Sequence, residues 1–256
     1  MILPPPPPAT RLYEELSLNA FPALQTQFYD GWVLLFANGY SNRANSVNLL
    51  YPSTISLQTK IAECEKRYRE HRLPVVFKLT DGADPNLDPI LERQGYEIVH
   101  PTYVMTMELG DKEFSFSAGD CVLTSHADEE WLDAYFTLGK YTDIVQTTTV
   151  RQIIKNVKNP IICGCIVKEG VSLACGMAVI ERGYMLLLNV VVAEPHRGKG
   201  YGKEICESLL SAAKNAAAHT AYLQVMPENL KAMNLYAKLG YKKAYSYWYR
   251  KKRVSE

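Results

Sequence analysis

A glycine-rich segment between an apolar stretch and an amphipathic stretch limits the possible folds of this chain more than any other feature. Residues 196–202 read His-Arg-Gly-Lys-Gly-Tyr-Gly, after the apolar residues 185–192 and before the amphipathic residues 203–218. This order predicts a strand, a tight turn and a helix. Glycines leave backbone N–H groups uncovered at a helix start, where unpaired donors and the positive end of the helix dipole favour an anion. We therefore expect a phosphorylated ligand at this turn.

Two common phosphate-binding loops do not match the spacing of this turn. A P-loop requires Gly, four residues, and then Gly-Lys-Ser/Thr; counting back from Gly202 puts Arg197 at the first glycine position, and Glu204 replaces the hydroxyl residue. The dinucleotide fingerprint G-x-G-x-x-G fails because the three glycines alternate and lie late in the chain. Neither loop therefore describes this turn.

The turn instead resembles the R-x-x-G-x-G segment of the GNAT acetyltransferase superfamily, which holds the pyrophosphate of acetyl-CoA. A second segment resembles the family's N-x-x-A-x-x-L-Y-x-x-x-G-F/Y pattern, and its matching residues are Asn229, Ala232, Leu235, Tyr236, Gly240 and Tyr241. The two segments together cover about residues 183–245. The resemblance implies an α/β protein of the acyl-CoA N-acyltransferase fold, with a mixed central sheet flanked by helices. It also implies transfer of an acetyl group from acetyl-CoA to an amine.

The chain contains two stretches with the same predicted order of helix, strand, helix and strand, which suggests two tandem GNAT-like lobes. We predict a proline-rich tail at residues 1–10, a degenerate N-terminal lobe at 11–109, a linker at 110–119 and a catalytic domain at 120–256. The segment before the first long helix, residues 48–53, has no glycine. We therefore expect the first lobe not to bind CoA.

The resemblance assigns the acetyl-CoA site to the end of the apolar strand, the glycine turn and the second segment. Valines at the strand end are also what a core strand requires, and the two interpretations are compatible. Basic residues at the turn are expected to neutralise the diphosphate, because a cation in a first helical turn otherwise opposes the helix dipole. Asn229 either caps its helix or contacts the CoA arm. The expected acetyl-CoA-binding residues are Val190, Val191, Val192, Arg197, Gly198, Lys199, Gly200, Tyr201, Gly202, Lys203, Asn229 and Tyr236.

Tyr236 is the candidate catalytic acid. Helical periodicity alone favours a core aromatic at this position, whereas the resemblance implies that its hydroxyl protonates the departing thiolate. No carboxylate lies between Gly183 and Ala193. We therefore expect deprotonation of the amine through water or a distant residue, with Glu181 as a candidate base. The absence of a clear base keeps a non-catalytic acyl-CoA-binding or sensing module as an alternative.

The acceptor cannot be identified from the sequence. The polar loop around Arg43, Asn45 and Ser46 either faces the acceptor or satisfies backbone groups in a bend. Residues 131–143, which include Tyr141, resemble the helical segment that covers the acceptor in this family. Their aromatic side chains either line that pocket or pack in the core.

Composition narrows the class of protein further. A formal net charge of +1 at pH 7 gives no general attraction to nucleic acid or membrane, and no apolar run reaches the ~20 residues of a membrane span. We expect a cytoplasmic monomer or homodimer without a metal, with its six cysteines as free thiols that are mostly buried. The basic residues 250–253 are interpreted as a solvated tail.

Overall fold

The computed structural model describes residues 8–114 and 121–252. Contacts divide the chain into two compact units. The first contains the residues up to Tyr103 together with those from Tyr245 onward, and the second runs from Val104 to Ala244. Two long strands, β5 (Tyr96–Glu108) and β11 (Lys242–Lys252), therefore carry residues of both units.

The helices and strands of the first unit surround a sheet with the strand order β1-β2-β3-β4-β11-β5. β3 and β4 are parallel, whereas the pairs β1/β2, β2/β3 and β4/β11 are antiparallel. Besides β5 and β11, its elements are α1 (Pro8–Ala20), β1 (Gln25–Tyr29), β2 (Trp32–Phe36), β3 (Val47–Leu49), α2 (Leu57–Glu70), β4 (Val76–Thr80) and α3 (Leu87–Arg93).

The core of the first unit follows from two sequence periodicities. Alternate residues of β2 and residues spaced by three and four on α2 belong to one buried cluster, which includes Trp32, Leu34, Ile61, Cys64 and Tyr68. A strand repeats its faces every two residues and a helix about every 3.6, so each pattern buries one face. The Tyr68 hydroxyl also donates to the carbonyl of Leu35 at 2.9 Å, which fixes α2 to β2.

The second unit has the strand order β5-β10-β9-β8-β7-β6. β9 and β10 are parallel, whereas the pairs β6/β7, β7/β8 and β8/β9 are antiparallel. Besides β5, its elements are β6 (Cys121–Thr124), α4 (Glu129–Gly139), α5 (Ile144–Asn156), β7 (Ile161–Lys168), β8 (Val171–Glu181), β9 (Tyr184–Val192), α6 (Tyr201–Asn215), β10 (Thr220–Val225) and α7 (Leu230–Leu239).

The two units differ from the predicted lobes at both ends of the chain. Residues 110–114 of the predicted linker lie inside the second unit, and residues 245–252 belong to the first because β11 pairs with β4. Residues 1–7 of the predicted tail and 115–119 of the linker lie outside the described residues, while Pro8 to Thr10 begin α1.

The interpretation of residues 250–253 as a solvated tail is wrong for Arg250. This residue lies in β11 and is only 4% exposed, and its guanidinium donates to both carboxylate oxygens of Asp88 at 2.8 Å. It also donates to the carbonyl of Tyr96 at 2.9 Å. A buried charge requires such partners, so Arg250 is a structural residue. Arg253 lies outside the described residues.

None of the helices in the described ranges combines the length and apolarity that crossing a membrane requires.

Candidate active site

The glycine turn of the second unit lies at the start of α6, as its sequence predicts. Gly198 and Gly200 have φ values of +79° and +95°, which glycine adopts without the strain of a Cβ. Gly200 is the residue before the helix and supplies no side-chain cap. The N–H groups of residues 198–202 donate to no backbone carbonyl of a described residue. They are therefore available to an anion at the positive end of the helix dipole.

The end of β9 beside this turn is separated from its parallel neighbour. The register between β9 and β10 ends at the pair Leu187 and Leu223, although β9 continues to Val192. The side of residues 188–192 that faces away from β8 therefore lacks ladder partners on β10. A strand edge of this kind offers backbone donors and acceptors to an extended ligand.

The glycine turn lies between α7 and the end of β9. A Cβ at Gly202 would lie 3.4 Å from Leu235 Cδ2 and 3.6 Å from Val192 Cγ2. Tyr236 follows Leu235, and its ring packs edge-on against Tyr241 at a centroid distance of 5.9 Å. The Tyr236 hydroxyl makes no hydrogen bond to a described residue. Burial raises the pKa of Tyr236 above its ordinary value, so this hydroxyl carries its proton at neutral pH.

The basic residues of the turn have different surroundings. Arg197 Nε donates to the carbonyl of Val192 at 3.2 Å, and Lys199 is exposed without an ion pair to any described residue. Lys203 instead pairs with Glu207 one helical turn later, at 2.6 Å. The side chain of Tyr201 lies beneath the ammonium of Lys168, 5.4 Å from the ring centroid. Arg197 and Lys199 are thus the more available cations.

Asn229 performs the capping role that was one of its two predicted roles. It precedes α7, and its Oδ1 accepts from the backbone N–H of Ala232 at 3.2 Å. This bond satisfies one of the unpaired donors of the first helical turn. A contact with the CoA arm stays a prediction.

A β-bulge in β9 places Asn189 in a special conformation. Asn189 and Val190 lie opposite the single residue Gly176 of β8, between the pairs Leu188/Met177 and Val191/Cys175. Asn189 has φ +56°, in the left-handed region that asparagine tolerates better than most residues. Its Nδ2 atom is buried and has no hydrogen-bond partner among the described residues. An unpaired buried donor is rare in folded proteins, which singles out Asn189.

Two tyrosines lie beside Asn189. The hydroxyl of Tyr135, on α4, donates to Asn189 Oδ1 at 3.4 Å and lies 3.0 Å from the hydroxyl of Tyr141. Tyr135 stacks on Trp131 at a centroid distance of 5.5 Å. The aromatic residues of α4 thus pack in the core, and Tyr135 among them also presents its hydroxyl to β9. We call Asn189, Tyr135 and Tyr141 the polar cluster.

Sequence analysis named Tyr141 but assigned no role to Tyr135 or Asn189. One signal for Asn189 was present, because it is the single polar residue within the apolar β9. No local pattern indicates that Tyr135 reaches it.

Comparison with known proteins identifies the family. Residues 9–250 match the family described as "Probable histone acetyltransferase Rv0428c C-terminal". The chain is also 31% identical over 252 residues to the "Uncharacterized N-acetyltransferase YobR" of Bacillus subtilis (strain 168), which covers 95% of this chain and 98% of that protein. The chain belongs to the GNAT superfamily. It is an acyltransferase of the N-acetyltransferase type.

Solved GNAT structures share its fold. A GCN5-related N-acetyltransferase from Kribbella flavida superposes with a TM-score of 0.72 at 16% identity, covering 96% of both chains. A tandem GNAT protein from the clavulanic acid biosynthesis pathway superposes with a TM-score of 0.68 at 13% identity, covering 95% of this chain and 88% of that one. The predicted GNAT fold with a mixed sheet and flanking helices is confirmed.

Neither carboxylate next to β9 is suited to act as the base of this GNAT protein. Glu181 pairs with Tyr184 at the closed end of the β8/β9 hairpin and accepts from Asn159 at 3.0 Å. Six residues of strand, or about 20 Å, separate that end of the hairpin from Val190. We therefore do not retain Glu181 as the candidate base. Glu194 is bound by Lys140, whose hydrogen bond lowers the pKa of Glu194.

In the first unit, two of the predicted acceptor residues support a loop. Asn45 is 4% exposed; its Oδ1 accepts from the N–H groups of Ala37 at 2.7 Å and Gly39 at 3.2 Å. Ser46 is fully buried and accepts from Asn48. These bonds match the alternative in which the polar residues of this loop satisfy backbone groups in a bend. Arg43 lies over the ring of Phe21, and its contact with an acceptor stays a prediction.

The segment just before α2 in the first unit is bound by a carboxylate of the chain itself. Asp30 accepts from the backbone N–H groups of Thr54 at 3.0 Å and Ile55 at 2.8 Å. Its partners include the buried Lys60. The hydrogen bond from Ser53 is the main cause that holds the pKa of Asp30 well below its ordinary value. This arrangement supports the expectation that the first unit does not bind CoA.

Proposed function

We propose that the second unit binds acetyl-CoA at the glycine turn and transfers the acetyl group directly to a primary amine of an acceptor. One observation carries this proposal: the uncovered N–H groups of residues 198–202 lie beside the unpaired end of β9. The first can bind a diphosphate and the second an extended chain with amide groups. When bound, acetyl-CoA supplies a thioester carbon that an amine can attack.

The turn fits a diphosphate in both space and charge. A Cβ at Gly198 or Gly200 would meet no atom within 4 Å, so open space adjoins these residues. Arg197 and Lys199 are exposed next to that space and supply two positive charges. Among the described residues no group of three metal ligands exists.

Tyr236 is proposed to donate its hydroxyl proton to the departing sulfur. Two observations support this role: the hydroxyl makes no hydrogen bond to a described residue, and burial keeps the phenol protonated. Leu235, its neighbour, lies against Gly202 of the turn. A positioned acid of this kind contributes about 10²- to 10⁴-fold to a rate.

The polar cluster is proposed to hold the acceptor beside β9. Asn189 Nδ2 is a buried donor without a partner, and an oxygen of the acceptor would satisfy it. The Tyr135 hydroxyl, which is also hydrogen-bonded to the Tyr141 hydroxyl, orients the Asn189 side chain through its Oδ1 atom. Deprotonation of the amine is assigned to water, since Glu181 and Glu194 are held by other groups.

Direct transfer is favoured over an acetyl-cysteine intermediate. A nucleophilic cysteine requires a thiolate, and burial raises the pKa of Cys206, the cysteine near Tyr236, to about 12. The pKa values of Cys163 and Cys175, on the strands packed beside α4, are raised by burial as well.

The deciding experiment combines binding and turnover. Calorimetry should detect acetyl-CoA binding, and incubation with a panel of small amines and peptides should release CoA thiol with a mass gain of one acetyl group on the acceptor. Binding without acceptor-dependent thiol release across the panel would contradict direct transfer to a primary amine.

A further inference from the structure

A cavity lies in the second unit at the N-terminal end of α4. Its volume is about 540 Å³, within the usual range for small-molecule sites. Its walls come from residues 125–127, the first turns of α4, the last turns of α5 and residues 157–161. The residues that line it include no member of the polar cluster and no residue of the glycine turn. The cavity is therefore distinct from the polar cluster.

Part of the cavity wall is apolar. Six apolar residues contribute to it, of which Leu132 and Ile154 are almost fully buried, with exposures of 6% and 5%. The apolar surface open to a ligand therefore comes mainly from Ala127, Val157, Pro160 and Ile161. A ligand that covers this wall removes apolar surface from water, which is favourable by about 25 cal/mol per Å².

The polar part of the wall carries more positive than negative charge. Arg151 is neutralised, because its guanidinium pairs with Glu129 and, at 2.9 Å, with Asp133. Lys155 and Lys158 line the same cavity and form no ion pair with any residue in the described ranges. Glu129 is the only carboxylate among the lining residues. Two unpaired ammonium groups therefore remain.

Helix stabilisation accounts for Lys155 better than for Lys158. Lys155 lies in the last turn of α5, where a cation interacts favourably with the helix dipole. Lys158 follows the C-cap Val157, outside the last helical turn, and is exposed beside the cavity. Both ammonium groups are thus available to an anion in the cavity.

We propose that this cavity binds a small amphipathic anion. The apolar part of the ligand contacts Val157, Ile161 and their apolar neighbours, and its carboxylate or sulfonate pairs with Lys155 and Lys158. Neither part alone accounts for the lining, since an inorganic anion would leave the apolar wall uncovered and a neutral apolar ligand would leave two ammonium groups unpaired.

The test uses 8-anilinonaphthalene-1-sulfonate, an aromatic sulfonate with fluorescence that rises in an apolar site. The full chain is titrated at low salt in the presence of excess CoA, so that the dye is excluded from the glycine turn. We expect one saturable site, with a dissociation constant that increases about tenfold in Lys158→Glu and further in Lys155→Glu/Lys158→Glu. Lys66→Glu makes the same change in net charge at an exposed position of α2. Its dissociation constant for the dye should stay within about twofold of the wild-type value.

Added decanoate should displace the dye from the wild-type protein. The affinity for decanoate should fall in the same order as the affinity for the dye, from wild type to Lys158→Glu to the double variant. The proposal is overturned if CoA removes all saturable fluorescence, or if Lys158→Glu and Lys66→Glu bind the dye equally well.

Discussion

The hydroxyl oxygen of Tyr135 lies 3.4 Å from Oδ1 of Asn189, and this hydrogen bond joins α4 to the bulge of β9. It uses the acceptor atom of the Asn189 amide and leaves the buried Nδ2 donor without a partner. The bulge and the unpaired amide thus occur in the same residue. In an enzyme that must hold a second substrate, an unsatisfied donor of this kind gives that substrate a specific contact.

Asn189→Gly is expected to reduce acceptor use selectively. Glycine adopts φ +56° without strain, so the bulge persists while the amide is lost. Loss of one hydrogen bond to a buried donor corresponds to about 1–3 kcal/mol, or roughly 5- to 150-fold in kcat/KM for the acceptor. Steady-state kinetics with a working acceptor and calorimetry with acetyl-CoA test this, and the acetyl-CoA affinity should change by less than about twofold. Unchanged acceptor kinetics would remove Asn189 from the site.

Gly200→Asp should abolish acetyl-CoA binding. The change adds a negative charge to the turn and a Cβ at a residue with φ +95°. Gly95→Asp is a matched control, because Gly95 has φ +83° and equally open surroundings in the first unit. Each variant should lose roughly 1–2 kcal/mol of stability through backbone strain, but only Gly200→Asp should fail to bind in calorimetry. Equal affinities of the two folded variants would argue against the turn as the donor site.

Tyr236→Phe should reduce turnover by roughly 10²- to 10⁴-fold with little change in acetyl-CoA affinity, because it removes only the proposed acid. Tyr241→Phe serves as the control. The Tyr241 hydroxyl is buried and has no partner among the described residues, so its removal should raise the free energy of unfolding by about 1 kcal/mol without lowering turnover. Thiol release and thermal unfolding of both variants provide the measurements, and a few-fold effect in Tyr236→Phe would exclude the acid role.

Asp88→Ala should destabilise the first unit in a pH-dependent manner. The variant leaves Arg250 buried with only Glu92 at 3.7 Å and the Tyr96 carbonyl. Breaking a buried pair costs about 3–5 kcal/mol, and the remaining contacts reduce the expected loss to about 2–3 kcal/mol. Lys251→Ala, at the next position of β11, should cost less than about 0.5 kcal/mol. Urea unfolding and hydrogen exchange of residues 245–252 at pH 7 report both losses.

The sign of the pH effect follows from the direction of the Asp88 shift. Hydrogen bonding to Arg250 lowers the pKa of Asp88 below its ordinary value of 3.8. The ionised Asp88 carboxylate therefore contributes fully to stability above its ordinary pKa. This contribution is lost as the pH falls through the lower pKa of Asp88 in the folded state. The difference between wild type and Asp88→Ala should shrink below about pH 4. A constant difference down to pH 2 would contradict this account.

The amino-acid sequence by itself determined the local elements of the GNAT site. The glycine turn, α6, α7 and the apolar β9 follow from glycine positions, helical periodicity and capping residues such as Asn229, all of which act within a few residues. Such short-range signals also made the family resemblance visible. They could not separate the two roles of Tyr236, because the same periodicity describes a core residue and a residue of the site.

Only the tertiary structure decided which of these elements meet. The contacts of Gly202 with Leu235 and Val192, the bond between Tyr135 and Asn189, and the partner of Arg250 join residues 10 to 162 positions apart. Their pairing depends on strand order and register, which arise from the packing of the whole unit and leave no periodic signal in one segment. For the same reason residues 245–252 of β11 belong to the first unit, although β11 follows α7 of the second unit in the sequence.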